Sequence, residues 1–178
     1  VPISRYSDRP TGRFVTCVPY SDDDGVTWQR PVDDVIVDTG GGGLESGACE
    51  PVAAELKDGR VWMLIRAQDG FQWETFSTDG GLHWSAPRHS RFVCSNSPVA
   101  MLRLEDGRLL VIWNNCGTGQ YNRLLLCAAI TADEGKTWTG YREIARRAED
   151  GVYSYPYVTE ARDGKVIVVM LQGQRMLR

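Results

Sequence analysis

An eight-residue turn signature recurs three times in this 178-residue chain and limits the fold more than any other feature. The copies are Ser21-Asp22-Asp23-Asp24-Gly25-Val26-Thr27-Trp28, Ser77-Thr78-Asp79-Gly80-Gly81-Leu82-His83-Trp84 and Thr131-Ala132-Asp133-Glu134-Gly135-Lys136-Thr137-Trp138. Each reads S/T-x-D-x-G-x-T/H-W. Every letter has a physical use. The aspartate accepts backbone N–H groups inside a tight turn, and the hydroxyl adds another bond. The glycine supplies a positive φ, and the tryptophan covers the turn with a large apolar face. Such a device locks a hairpin and is not catalytic, so Asp23, Asp79 and Asp133 are read as structural.

A second repeat interleaves with the first. Asp58-Gly59, Asp106-Gly107 and Asp163-Gly164 each sit between two apolar runs, as in β-hairpins. The runs that follow, Val61 to Ile65, Leu109 to Trp113 and Val166 to Leu171, have the composition of strands buried on both faces. No segment has a helical period with caps. The expected fold is therefore all-β, a propeller of stacked four-stranded blades. The pitch divides the chain into a half-blade at 12–38, blades at 50–95 and 96–147, and a half-blade at 151–178. That is about three blades. Propellers close with roughly four to eight, so the expectation is half of a six-bladed ring, completed by further chain or by a second copy as a homodimer.

Charge and cysteine usage narrow the function. The net charge is −3 with both signs interspersed, which argues against nucleic acid or a membrane surface as partner. No apolar run reaches the length of a transmembrane helix. Five cysteines, Cys17, Cys49, Cys94, Cys116 and Cys127, include no CxxC pair. They read as small buried hydrophobes and not as a disulfide framework or zinc site. His83 and His89 have no metal-ligand spacing and are expected at the surface. The run Gly40 to Gly43 lacks a phosphate-loop context and reads as a loop between blades. No initiator Met or signal peptide precedes Val1, so localisation is not readable from this end.

The repeats resemble the Asp-boxes of the sialidase (neuraminidase) superfamily, particularly the bacterial sialidase-like proteins. Three further segments carry the likeness. Glu50-Pro51 through Arg66 resembles the stretch that bears the family's glutamate and second substrate-binding arginine. Asn122-Arg123 leading into the third box resembles the strand of the third arginine. Tyr153-Ser154-Tyr155-Pro156-Tyr157, ahead of Asp163-Gly164, resembles the strand of the nucleophilic tyrosine. Counting back from the turn favours Tyr155, whereas the Tyr-Ser pairing favours Tyr153. The resemblance implies a retaining exo-glycosidase, acting on glycans that end in sialic or related acidic sugars. It also implies the secreted or periplasmic location common in bacterial members.

The substrate explains why these residue types are needed. A sialic acid carries a carboxylate on its anomeric carbon, so a neutral phenol attacks better than a carboxylate would, and tyrosine nucleophiles are a recognised exception among glycosidases. A phenol titrates near 10, so a carboxylate, here Glu50, must take its proton. Arg66 and Arg123 would bind the substrate carboxylate through charge-assisted pairs. No cofactor or metal is called for. Independently of any family, the Asp58-Gly59 turn brings Glu50 and Arg66 to the same end of one hairpin.

Other readings stand beside this one. Arg66, Arg123 and Glu50 could be salt-bridged or capping residues at strand ends. Tyr153, Tyr155 and Tyr157 alternate and could form a packing ladder on one strand face. Gln68, Gln72 and Asn114 or Asn115 are positional candidates for a sugar pocket. In the family the first arginine and the acid lie upstream, in the first blade; nothing before Ser21 matches those motifs, and no pattern assigns Arg5, Asp8, Arg9 or Arg13 to them. A non-catalytic carbohydrate-binding propeller, or a propeller lyase or glycosidase acting on uronic acids, is the alternative function.

Overall fold

Each turn signature folds as the same lock. In the second copy the backbone N–H of His83 donates to Asp79 Oδ1 at 2.9 Å, Ser77 Oγ donates to the same oxygen at 2.8 Å, and Gly81 N–H donates to Ser77 Oγ at 2.8 Å. Trp84 Nε1 closes the turn on the carbonyl of Gly81 at 3.0 Å. The first and third copies repeat these bonds around Asp23 and Asp133 within 0.1 Å. Gly25, Gly81 and Gly135 all have positive φ. In the first and third copies the threonine hydroxyl also donates to the aspartate, and His83 Nδ1 takes that place in the second at 2.7 Å from Asp79 Oδ2. These donors hold the three carboxyls at about 2. The largest cause is the threonine hydroxyl for Asp23 and Asp133, and the His83 backbone N–H for Asp79.

The computed structural model describes residues 2–6, 13–30, 32–40, 46–117, 122–146 and 151–174. These hold twelve strands and no helix. The chain forms two compact units, Val1–Arg91 and Phe92–Arg178. In the first, β1 (Ile3–Tyr6) pairs with β2 (Phe14–Cys17). A four-stranded sheet then runs in the order β3 (Cys49–Glu55), β4 (Val61–Arg66), β5 (Phe71–Ser77) and β6 (Arg88–Val93). Strand β1 was not expected, since four residues of mixed polarity carry no clear alternation.

The second four-stranded sheet is β7 (Ala100–Arg103), β8 (Leu109–Asn114), β9 (Leu125–Thr131) and β10 (Thr139–Arg146). β11 (Gly151–Glu160) and β12 (Val166–Gln174) form a hairpin. In both four-stranded sheets the second strand is the most buried, because it has neighbours on either side and packing on both faces. Val18, Val35, Val37, Ala48, Met63 and Ile65 make the core of the first unit. In the second unit Val158, Val168 and Met170 of the hairpin pack on Leu110, Ile112 and Leu126 of the sheet. This is face-to-face stacking of antiparallel sheets.

Two expectations are corrected. The run Val166 to Leu171 is not buried on both faces: Val169 is 60% and Leu171 52% exposed. β12 has only β11 as a strand neighbour, and Val166 and Ile167 along it are exposed as well. The tyrosine ladder also fails. Ser154 pairs with Leu171 and Tyr157 with Val169, so a β-bulge at Tyr155-Pro156 breaks the alternation. Tyr153 packs against the core while Tyr157 is 67% exposed. Four of the five cysteines are buried and all are free thiols. Gly41, Gly42 and Gly43 of the glycine run, with Asp8 and Arg9, lie outside the described residues.

Candidate active site

The four expected functional residues occur as two pairs, one in each unit. In the first unit Cys49 pairs with Arg66 and Val52 with Leu64, so Glu50 and Pro51 stand opposite Ile65 alone. This bulge places Glu50 at φ +39°, a conformation a side chain disfavours. Its carboxylate Oε2 accepts from Arg66 Nη1 at 2.8 Å. The Arg66 side chain is 4% exposed and that of Glu50 38%, so the pair runs from the interior to the surface. Ser4 Oγ of β1 accepts the Glu50 backbone N–H at 2.5 Å, tying the bulge to the neighbouring sheet.

The second unit repeats the device with different chemistry. Tyr155 and Pro156 stand opposite Met170 alone, and Tyr155 has φ +54°. Its ring is half exposed and lies with its centroid 5.4 Å from Arg123 Cζ, a cation–π contact. Arg123 is buried (7% exposed), two residues ahead of β9, and donates from Nη2 to the carbonyl of Asn96 at 2.7 Å. The start of β11 is stitched to this arginine. Tyr153 N–H donates to the Arg123 carbonyl at 2.8 Å, and Asn114 Nδ2 donates to the Tyr153 carbonyl at 2.7 Å.

Tyr153 and Tyr155 therefore differ in kind. Tyr153 faces the core, whereas Tyr155 presents its ring at the surface over a buried cation. Of the sugar-pocket candidates, Gln72 and Asn114 are fully buried and so face the protein interior. Asn115 donates to the Tyr141 hydroxyl at 3.2 Å, and Gln68 lies half-buried in the β4–β5 loop. Arg5 is ion-paired with Asp34, and Arg13 with Asp38 at 2.6 Å. His89 is at the surface, with Nε2 2.7 Å from Asp69 Oδ2. Among the described residues no group of three or more His, Cys, Asp or Glu could hold a metal ion.

Ser4 and Asn96 were missed by the sequence reading. Asn96 is buried and also has positive φ (+27°). A signal for this backbone was present: Glu50-Pro51, Ser97-Pro98 and Tyr155-Pro156 put a proline within, or two residues ahead of, the first strand of each hairpin. Nothing comparable marks Ser4.

Comparison with known proteins adds the family. The model of the BNR repeat-like domain matches residues 1–168. A protein of unknown function from Dyadobacter fermentans DSM 18053 superposes with a TM-score of 0.74 at 23% identity, covering 99% of this chain and 46% of that one. The intramolecular trans-sialidase of Ruminococcus gnavus gives 0.67 at 22%, covering 95% and 35%. The NanB sialidase of Streptococcus pneumoniae gives 0.66 at 19%, covering 94% and 26%. The chain thus spans less than half the length of each. At these identities the likeness is one of fold, of the sialidase propeller type. No curated protein matches the sequence.

Proposed function

Starting from the membership of this chain in the BNR repeat-like domain family, we propose that it belongs to a sialidase-like exo-glycosidase. The substrate would be a glycan ending in sialic acid or a related acidic sugar. One observation carries the reading. Glu50 and Tyr155 each occupy a left-handed bulge before a proline, and each stands against a buried arginine. Strained backbone of this kind costs about 1–3 kcal/mol and concentrates at functional sites. The fold here repeats it with one acid and one phenol.

The roles follow from the chemistry. Tyr155 is the nucleophile, and a covalent tyrosyl intermediate accounts for retention. Glu50 is the base that takes the phenolic proton. Arg66 and Arg123 bind the substrate carboxylate. About three blades of a six-bladed ring, with blades at 50–95 and 96–147, are the architecture proposed for the chain.

The test is release of methylumbelliferone from its α-sialoside by an active preparation. Glu50→Gln and Tyr155→Phe should each lower kcat at least ~10²-fold. Undiminished turnover in both variants would refute the assignment. The second reading, a carbohydrate-binding propeller without catalysis, draws on the ion pairs that occupy Arg5 and Arg13, which leave no general acid or third arginine assigned. Binding of sialylated glycans without release would decide for it.

A further inference from the structure

The second turn signature departs from the other two at His83, and the departure faces a groove of about 720 Å³ in the first unit. Arg60, Phe76, Thr78, Trp84 and Arg88 line it together with His83. Arg60 and Arg66 are the first residue before β4 and its last, so strand rise puts the groove about 20 Å from the Glu50–Arg66 pair.

The groove has ordered cations over an aromatic floor. The guanidinium carbons of Arg60 and Arg88 lie 5.3 and 5.8 Å from the centroid of the Phe76 ring. Each is further fixed by a carboxylate. Arg60 gives Nε and Nη2 to Asp58 at 2.9 and 2.8 Å, and Arg88 gives Nε to Glu74 at 3.0 Å. A guanidinium carries five N–H donors, so both retain donors for a ligand, already oriented by ring and carboxylate. With His83 Nδ1 engaged by Asp79, its Nε2 is the ring atom left for a ligand.

The chain's own second sheet is an internal control. It keeps arginines at the matching places, Arg108 and Arg142, but has Ile130 for Phe76, Ala132 for Thr78 and Thr137 for His83. Its lock has the same bonds, with Thr137 donating to Asp133 as His83 does to Asp79. The scaffold therefore does not require the aromatic ring, the hydroxyl or the imidazole, and a role in binding explains why all three occur on one groove.

We infer that this groove is a second glycan-binding site, taking an acidic sugar whose carboxylate or sulfate bonds to Arg60 and Arg88. Paired arginines recognise such planar or multi-oxygen anions through several bonds at once. The apolar face of the sugar packs on the Phe76 and Trp84 surface.

Calorimetry on the whole chain tests this with a hyaluronan tetrasaccharide, a chondroitin 4-sulfate tetrasaccharide and neutral chitotetraose. The acidic oligosaccharides should bind at least ~10-fold more tightly than chitotetraose. A preference for the sulfated one assigns the anion site to the ester, and a preference for hyaluronan assigns it to the carboxylate. The double variant F76I/H83T installs the residues of the second repeat, so its circular dichroism should match the parent while acidic-sugar affinity falls at least ~10-fold. R88Q should weaken binding in the same direction, and R142Q, at the matching place of the second sheet, should leave it unchanged. Four outcomes would overturn the inference: equal binding of chitotetraose, no binding of any probe at millimolar concentration, parent-like affinity in both groove variants, or binding lost only in R142Q.

Discussion

Replacing Tyr155 by glycine separates its two readings, nucleophile and packing residue. Its backbone at φ +54° costs an L-residue about 1–2 kcal/mol that glycine does not pay. Against this gain stand the cation–π contact with Arg123, about 0.5–1 kcal/mol, and the buried half of the ring. Full burial of an aromatic of this size contributes about 1.5–3 kcal/mol, so half contributes about 1. The terms nearly cancel, and Tyr155→Gly should change unfolding free energy by less than about 1 kcal/mol. Tyr153→Ala, which removes a ring packed against Leu126 and its neighbours, should cost about 2–3 kcal/mol. Urea unfolding gives both numbers, and a chain of this size should show about 2–4 °C of Tm shift per kcal/mol as a check. Turnover should move the other way, with Tyr155→Gly inactive and Tyr153→Ala affected only through stability. A cost above about 2 kcal/mol for Tyr155→Gly, with a smaller one for Tyr153→Ala, would show that Tyr155 is the packing residue.

Two further outcomes are expected. The lock aspartates titrate at about 2 when folded against an ordinary 3.8. Their stabilisation is thus fully present above pH 4 and is lost as pH falls towards 2. Asp79→Asn should flatten that part of the stability–pH curve, and a curve of unchanged slope would contradict the role. Gly47, with φ +93°, sits so close to Phe14 that an added Cβ would lie 2.3 Å from its carbonyl oxygen. Gly47→Ala should therefore destabilise by more than about 2 kcal/mol and disturb Glu50 three residues on; a parent-like Tm would show that the backbone there adapts.

The sequence made local features legible and concealed those that depend on register. The three locks could be read because all their bonds lie within eight residues, and Glu50 could be placed beside Arg66, sixteen residues on, because one Asp58-Gly59 turn joins their strands. The bulges could not be read. One extra residue opposite Ile65 or Met170 leaves the apolar pattern intact while reversing which side chains face out, and it was this that misled the tyrosine ladder. Ser4 and Asn96 escaped because their bonds join segments 46 and 27 residues apart. The exposure of Val169 and Leu171 escaped because hydrophobicity does not reveal whether a strand has a partner on both faces.

The left-handed residue before proline also bears on how related sequences should be read. At such a position drift alone favours glycine or asparagine, which enter that conformation easily. A glutamate or tyrosine kept there works against the backbone's own preference, so its retention signals selection for the side chain. Relatives that align at these places can be sorted without any structure. Those with glycine or asparagine have relaxed the backbone and lost the pair, whereas an acid at one place and a phenol at the other keep the pair that the proposed reaction requires.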